Sequence, residues 1–131
     1  MDIKKFRNFT LSSGAEIFLG KNADNNDKLV SYFKGKPNVI IHTIAPGSPF
    51  CVIEKLNPNR EEIKEASIIC ASKSQNWRDH HSNVDLHVFT GKDVKKTLFA
   101  KKGTWKVKKK AEIVQIKKED ILKFESKTKK K

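Results

Sequence analysis

The sequence predicts an α+β domain, with a mostly antiparallel sheet, two main helices and a short C-terminal helix. Short segments of alternating or β-branched residues recur along the chain, which is the pattern of strands. Between them stand stretches whose apolar residues recur at helical spacing, giving the order ββαββαβββα. The length of 131 residues suits a single domain with a core of its own.

The N-terminal half supplies a hairpin, a helix and two strands. The segments FRNFTLSS and AEIFLGK on either side of Gly14 predict a β-hairpin. An apolar face at helical spacing predicts a helix from Ala23 to Phe33, which Gly35 ends. The β-branched runs Asn38 to Ile44 and Phe50 to Glu54, joined by the turn APGSP, predict central strands covered on both faces.

The C-terminal half begins with the second main helix. Asn57 is the expected cap, Pro58 suits the first helical position, and an apolar stripe extends the helix to about Ser74. We expect one domain over residues 1–126 and a disordered lysine-rich tail over 127–131. The remaining elements are three strands and a short helix, at Val84 to Phe89, Trp105 to Val107, Ile113 to Ile116 and the segment KKEDILKFES.

The charge of the chain indicates a polyanionic partner. The net charge is +13 and the isoelectric point is about 9.8. Such an excess of cations bears on partners and not on the fold, and nucleic acid is the commonest polyanion that a basic domain meets. An anionic membrane surface and an acidic protein remain alternatives, and phosphate contacts alone do not separate RNA from DNA.

Cysteine usage and hydropathy indicate the compartment. Cys51 and Cys70 both stand inside apolar runs without the spacing of a disulfide framework, so we expect free, buried thiols. Charged residues interrupt the first residues of the chain, and no apolar run approaches the length of a transmembrane helix. These features predict a cytoplasmic protein without a transmembrane segment.

The lysine-rich stretch KDVKKTLFAKKGTWKVKKK is the first candidate site. Alternation places Trp105 and Val107 on one strand face and the neighbouring lysines on the other. We interpret the stretch as a phosphate-contacting surface with little sequence preference, the alternative being a solvated charged surface. Trp105 either stacks on a base or packs in the core. The candidate cations are Lys92, Lys95, Lys96, Lys101, Lys102, Lys106 and Lys108.

Two further segments are candidates for phosphate contact. In GKNADNND, Lys21 and Asn22 stand at a helix start, where free amides hold anions, although the same composition is typical of an ordinary helix entry. In the APGSP turn, Gly47 and Ser48 allow close approach of a phosphate. His42 lies inside an apolar strand, which favours a core histidine over a functional one.

The sequence offers no pattern typical of an enzyme. Ser48 lacks the context of a catalytic serine, and no pair of carboxylates stands in a recognisable site. The histidines and cysteines do not have metal-ligand spacing. We therefore expect a non-catalytic protein without a metal or a cofactor.

Four segments stand in a specific order along the chain: GKNADNND, VIIHTIAPGSPFCVI, NREEIKEASIICASKS and VFTGKDVKKTLFAKKGTWKV. Together they resemble the NFACT-R domain. The resemblance covers nearly the whole chain, and each motif is weak alone but specific in this order. Where family members often carry a polar residue such as His after Gly-Ser in the turn, this chain has Pro49, so the role of that His is not carried over.

The resemblance implies an RNA-binding module. Larger NFACT-R relatives are ribosome quality-control factors that bind the large ribosomal subunit and tRNA, so we expect tRNA or rRNA as the partner. Asn26 matches a family asparagine in the first motif and joins the candidate site. The other domains of those relatives have no counterpart here, so the chain resembles the stand-alone NFACT-R proteins, and C-terminal tailing is not implied.

Overall fold

A computed structural model describes residues 3–45, 48–96, 105–107 and 111–129. These residues form eight strands and four α-helices, with two short 3-10 helices at Ile3–Lys5 and Gly91–Asp93. The elements in chain order are β1 (Arg7–Thr10), β2 (Glu16–Leu19), α1 (Ala23–Phe33), β3 (Val39–Thr43), β4 (Cys51–Ile53), α2 (Arg60–Ser72), α3 (Gln75–His80), β5 (Val84–Thr90), β6 (Val94–Lys95), β7 (Lys106–Val107), β8 (Glu112–Ile116) and α4 (Lys118–Lys129).

The strands form one large sheet and one small ribbon. The large sheet has six strands in the order β1-β2-β4-β3-β5-β8, and every neighbouring pair is antiparallel. β6 and β7 pair separately as a two-stranded antiparallel ribbon. The prediction of an α+β fold with a mostly antiparallel sheet is therefore confirmed.

Other elements cover both faces of the sheet. Successive side chains of a strand point to opposite faces, so the strands contribute to two separate apolar clusters. On one face Ile41 packs in a cluster with residues of α2, α3 and α4, including Trp77 and Ile121. On the other face Ile40 packs with Leu29 of α1, and the ribbon adds to the same cluster. The predicted strands around APGSP are thus central and covered on both sides, and the ribbon lies on the α1 face.

The second main helix differs from its prediction at both ends. It begins at Arg60 with Asn59 as the cap, not Asn57. The side chain of Asn59 accepts from the Glu62 N–H at 2.8 Å, and the Glu62 carboxylate accepts from the Asn59 N–H at 2.9 Å. This reciprocal pair is a capping box, which Asn57 at a φ of 52° cannot form.

The helix ends at Ser72, and a separate helix follows. Ser74 caps α3 by accepting from the Trp77 N–H at 3.1 Å. Trp77 therefore belongs to α3 and is 2 % exposed. A serine between two helical segments serves as a cap because its hydroxyl competes for backbone N–H groups.

The remaining features of the fold are the C-terminal helix and the two cysteines. α4 continues to Lys129, three residues beyond the predicted domain boundary at residue 126. Cys51 and Cys70 are free and buried, as predicted, and burial raises the pKa of the Cys70 thiol to about 12. Within the described residues, no helix combines the length and the apolar character needed to cross a bilayer.

Candidate nucleic-acid interface

A cleft of about 580 Å³ is lined by residues from both faces of the sheet. On the α1 face they come from the start of α1, β3, β5, the residues before β4 and the ribbon strand β7, and on the other face from β1 and the region around α3. All of the sequence-predicted candidates outside the lysine run that the structure describes meet here. Those lining residues are Lys21, Asn22, Asn26, His42 and Ser48, joined by Trp105 from the lysine run.

The charged side chains that line this cleft, among the described residues, are all positive. Arg7, Lys21, Lys73 and Arg78 supply four cations, and none of the described residues that line the cleft carries a carboxylate. A concave surface of one sign concentrates the field and attracts an anion. We call it the basic cleft, defined by those four cations together with Asn26 and His42.

Three of these cations were missed in the sequence. Arg7 opens β1, Lys73 follows α2 and Arg78 lies in α3, so only the folded topology brings them together. Arg78 is held in place by hydrogen bonds from its guanidinium to the Lys73 carbonyl at 3.1 Å and the Gln75 side-chain oxygen at 3.0 Å. The weak signal in the sequence was that all three of its arginines lie outside the lysine run, and two of them, Arg7 and Arg78, line the cleft.

The loop before α1 presents backbone donors to the cleft. Asn22 caps the helix by accepting from the Asn25 N–H at 2.8 Å. The Lys21 N–H donates to the Asn25 side-chain oxygen at 2.9 Å, so it is not one of the free amides. The N–H groups of Asn22 and Ala23 donate to no acceptor among the described residues, and both residues line the cleft.

Asn26 joins this loop to the strand opposite. Its Oδ1 accepts from the Phe50 N–H at 3.0 Å, and the side chain is 7 % exposed. Gly20 makes this contact possible, because a Cβ at that position would lie 1.8 Å from the same oxygen. The predicted site residue is therefore also a structural one, in the sense that it ties the α1 loop to the start of β4.

His42 combines the two interpretations that the sequence left open. Its ring stacks on Phe50 with centroids 3.9 Å apart and 11° between the planes, yet the residue also lines the cleft. Burial lowers the pKa of His42 to about 4; a backbone hydrogen bond with Ser48 opposes the shift, and nearby His87 adds to it. The imidazole is consequently neutral at physiological pH and offers one donor and one acceptor. The buried Ser48 hydroxyl is hydrogen-bonded to the Thr43 hydroxyl.

The described lysines of the lysine run fall into two groups. Lys92, Lys95 and Lys106 are exposed. Lys96 instead pairs with Asp27 of α1, with Nζ 2.7 Å from Oδ1, and it lies 4.8 Å from the centre of the Trp105 ring. Lys96 is therefore part of an internal contact.

Trp105 is anchored rather than free. Its indole N–H donates to the same Asp27 oxygen at 3.0 Å, and its half-buried ring packs against the apolar cluster on the α1 face. Trp105 and Val107 are half-buried while Lys106 is exposed, as the alternation predicted. The other predicted contacts, Gly47, Lys101, Lys102 and Lys108, lie outside the described residues.

With this geometry in view, the chain can be compared with known proteins. The family described as NFACT protein RNA binding domain matches residues 5–109. The chain belongs to this family. The resemblance of the four sequence motifs to the NFACT-R domain is therefore confirmed, and the chain is an RNA-binding domain by family.

Two known proteins are similar to this NFACT RNA-binding domain. It is 24 % identical over 96 residues to a protein named Archaeal Rqc2 homolog aRqcH from Methanocaldococcus jannaschii, a match that covers 72 % of this chain and 14 % of that protein. A solved structure of the C-terminal part of the fibronectin/fibrinogen-binding protein from Streptococcus suis aligns with a TM-score of 0.78 at 23 % identity. That alignment covers 92 % of this chain and 48 % of the other, and it supports the fold.

Proposed function

We propose that this protein binds tRNA or rRNA at the ribosome, through the basic cleft and the exposed lysines of the ribbon. One observation carries the proposal: four cations converge on a cleft whose described lining contains no carboxylate. Lysine and arginine neutralise phosphates and release counterions, which supplies most of the affinity of a shape-led RNA-binding surface. The family and the similarity to an Rqc2 homolog support RNA as the polyanion.

The proposed contact residues form two groups by their position. Lys21, Arg78 and Arg7 contact phosphates in the cleft, and Lys95 and Lys106 extend the contact along the ribbon. Among the described residues, no cluster of three or more His, Cys, Asp or Glu side chains is arranged to hold a metal ion. We propose a binding module that acts in the cytoplasm and does not itself catalyse a reaction.

A titration with RNA tests the proposal. With about six cations on phosphates, log K should fall against log salt with a slope of about −4 for single-stranded RNA. Replacing Lys21 and Arg78 with Ser should reduce that slope by about 1.4. The matched control replaces Lys118 and Lys123, two exposed lysines of α4 that do not line the cleft, with Ser, and should leave cleft binding nearly unchanged.

Two outcomes would contradict the proposal. A slope near zero would remove the electrostatic basis, and equal losses in the cleft variant and its control would show that only net charge matters. Capture of partners from cell extract before and after nuclease treatment addresses the alternative of a basic adaptor for an acidic protein. A partner retained after nuclease would favour that adaptor, and crosslinking with sequencing would identify the RNA, or show DNA instead.

A further inference from the structure

Several hydrogen-bond donors of the basic cleft lie at the start of α1. The unpartnered N–H groups of Asn22 and Ala23 lie at the start of α1, where the helix dipole favours negative charge. Lys21 adjoins them, and its exposed side chain also lines the cleft. One phosphate group can therefore meet backbone donors and a cation at one place.

Asn26 supplies an independent indication of a ligand. Its Oδ1 is engaged by the Phe50 N–H, which assigns the Nδ2 group to the other side of the amide. Nδ2 donates to no acceptor within the described part of the chain, although the residue is 7 % exposed. No described side-chain nitrogen or oxygen is both fully buried and unpartnered, so Nδ2 retains accessible surface, and Asn26 lines the cleft. A buried amide with a spare donor on a cleft wall is a polar recognition group.

Aromatic rings also line the cleft. His42, His87 and Trp105 are partly exposed there, whereas Phe89 and Phe50, on which His42 stacks, are buried. Side chains of this type accept an unstacked base, whereas phosphate contacts alone would not need them. The neutral His42 imidazole uses one ring nitrogen for its hydrogen bond with the Ser48 backbone, and its other nitrogen is an acceptor suited to the edge of a base.

The dimensions suit one nucleotide. A volume of about 580 Å³ falls within the range of clefts that enclose one small ligand, roughly 300 to 1,000 Å³. We propose that the cleft binds a single unpaired nucleotide of the RNA, with its phosphate at the Asn22 and Ala23 amides and its base against the partly exposed aromatic rings. This rests on the proposed function, since it names the form of RNA that the same site takes.

Nuclear magnetic resonance with small probes tests the pocket directly. Adenosine 5′-monophosphate should shift the amide signals of Asn22 and Ala23 and the side-chain amide signal of Asn26. Inorganic phosphate should shift only the backbone signals, and adenosine should affect mainly signals of Phe89 and Trp105. If the monophosphate produces no larger shifts than inorganic phosphate, the base has no place in the cleft and the proposal is overturned.

RNA of matched length then separates this inference from the proposed function. A single strand should bind about tenfold more tightly than a blunt duplex, because only an unpaired base can stack on the aromatic rings of the cleft. Equal binding of both forms overturns the nucleotide pocket and leaves RNA binding standing. Failure of both forms to bind overturns the proposed function as well.

A substitution at the spare donor provides the variant. Asn26→Asp keeps an oxygen for the Phe50 N–H and replaces the donor on the cleft wall with a charged acceptor. We expect it to reduce the preference for single strands at least about fivefold. Ser31→Asp adds the same charge at an exposed position of α1 that does not line the cleft, and should keep the preference. Equal effects of the two variants would overturn the role of Asn26, and the probe titrations on the unaltered protein decide the proposal if Asn26→Asp does not fold.

Discussion

Lys95 and Lys106 lie directly opposite each other across the ribbon, and both side chains are exposed. Residues that face each other in an antiparallel pair project from the same side, so their like charges repel. Their neighbours Val94 and Val107 pair on the other side and pack against the core. The ribbon is thus held by its apolar side while its outer side carries an unfavourable pair. A polyanion bound to that side would relieve the repulsion.

Removing this pair should weaken RNA binding without weakening the fold. For Lys95→Ser with Lys106→Ser we expect an equal or higher melting temperature, because a like-charge pair is lost. The slope of log K against log salt should fall by about 1.4 with single-stranded RNA. The α4 pair Lys118→Ser with Lys123→Ser is the control of equal charge. A large drop in melting temperature would show that the lysines stabilise the ribbon, contrary to this argument.

His42 should make stability depend on pH. Its folded pKa is about 4, below the unfolded value of about 6.5, because burial disfavours the charged form. Between these values the unfolded state binds more protons, so stability is full above about pH 6.5 and declines as the pH falls to about 4. The difference in melting temperature between the protein and the His42→Gln variant should therefore be smaller at pH 4 than at pH 7. A constant difference would mean that His42 titrates alike in both states.

Glu62 should stabilise the fold against acid in a lower pH range than His42 does. It accepts from the Ser13 hydroxyl at 2.6 Å, from the Asn59 N–H and from the Lys55 ammonium at 3.0 Å, and these contacts lower its pKa to about 2. The stabilisation is present above the unfolded pKa of about 4.3 and is lost as the pH falls through about 2.

The test compares two neighbours in the first turn of α2. Glu62→Gln should lower the melting temperature at pH 7 and reduce its change between pH 5 and 2. Glu61→Gln removes the same charge from an exposed position and should have a small effect. Equal effects of the two would assign the stabilisation to the helix dipole instead of to the contacts of Glu62.

The sequence predicted features formed by neighbouring residues better than features that distant segments form together. The bounds of α1 and the hairpin follow from apolar spacing and from Gly14, which are properties of short segments. The start of α2 was misplaced because Asn57 and Asn59 are both capable caps, and only the contact with Glu62 selects the second. The cations of the basic cleft come from β1, the loop before α1 and the region around α3, so no local pattern could assemble them. The structural role of Lys96 was hidden for the same reason, since its partner Asp27 is 69 residues away.

The contact between Asp27 and Lys96 provides the last prediction. Asp27→Asn keeps an oxygen for the Trp105 indole but removes the charge that holds Lys96. Because this pair is partly buried, its loss should cost about 1 kcal/mol and should speed hydrogen exchange at the ribbon amides of Val94 and Val107. Lys96 then loses the carboxylate that neutralises its charge, so the slope of log K against log salt should steepen by about 0.7.

The control for this prediction lies on the same helix. Asp24→Asn changes the net charge equally, but its ion pair with Lys28 spans 3.8 Å and both side chains are 60 % exposed. Such a pair contributes little, so we expect near-native melting and exchange at the ribbon. If the two variants steepen the salt dependence equally, the effect comes from net charge alone. If Asp27→Asn leaves exchange of the ribbon amides unchanged, the ribbon is held by the packing of Trp105 and Val107, and Lys96 is not released toward the RNA.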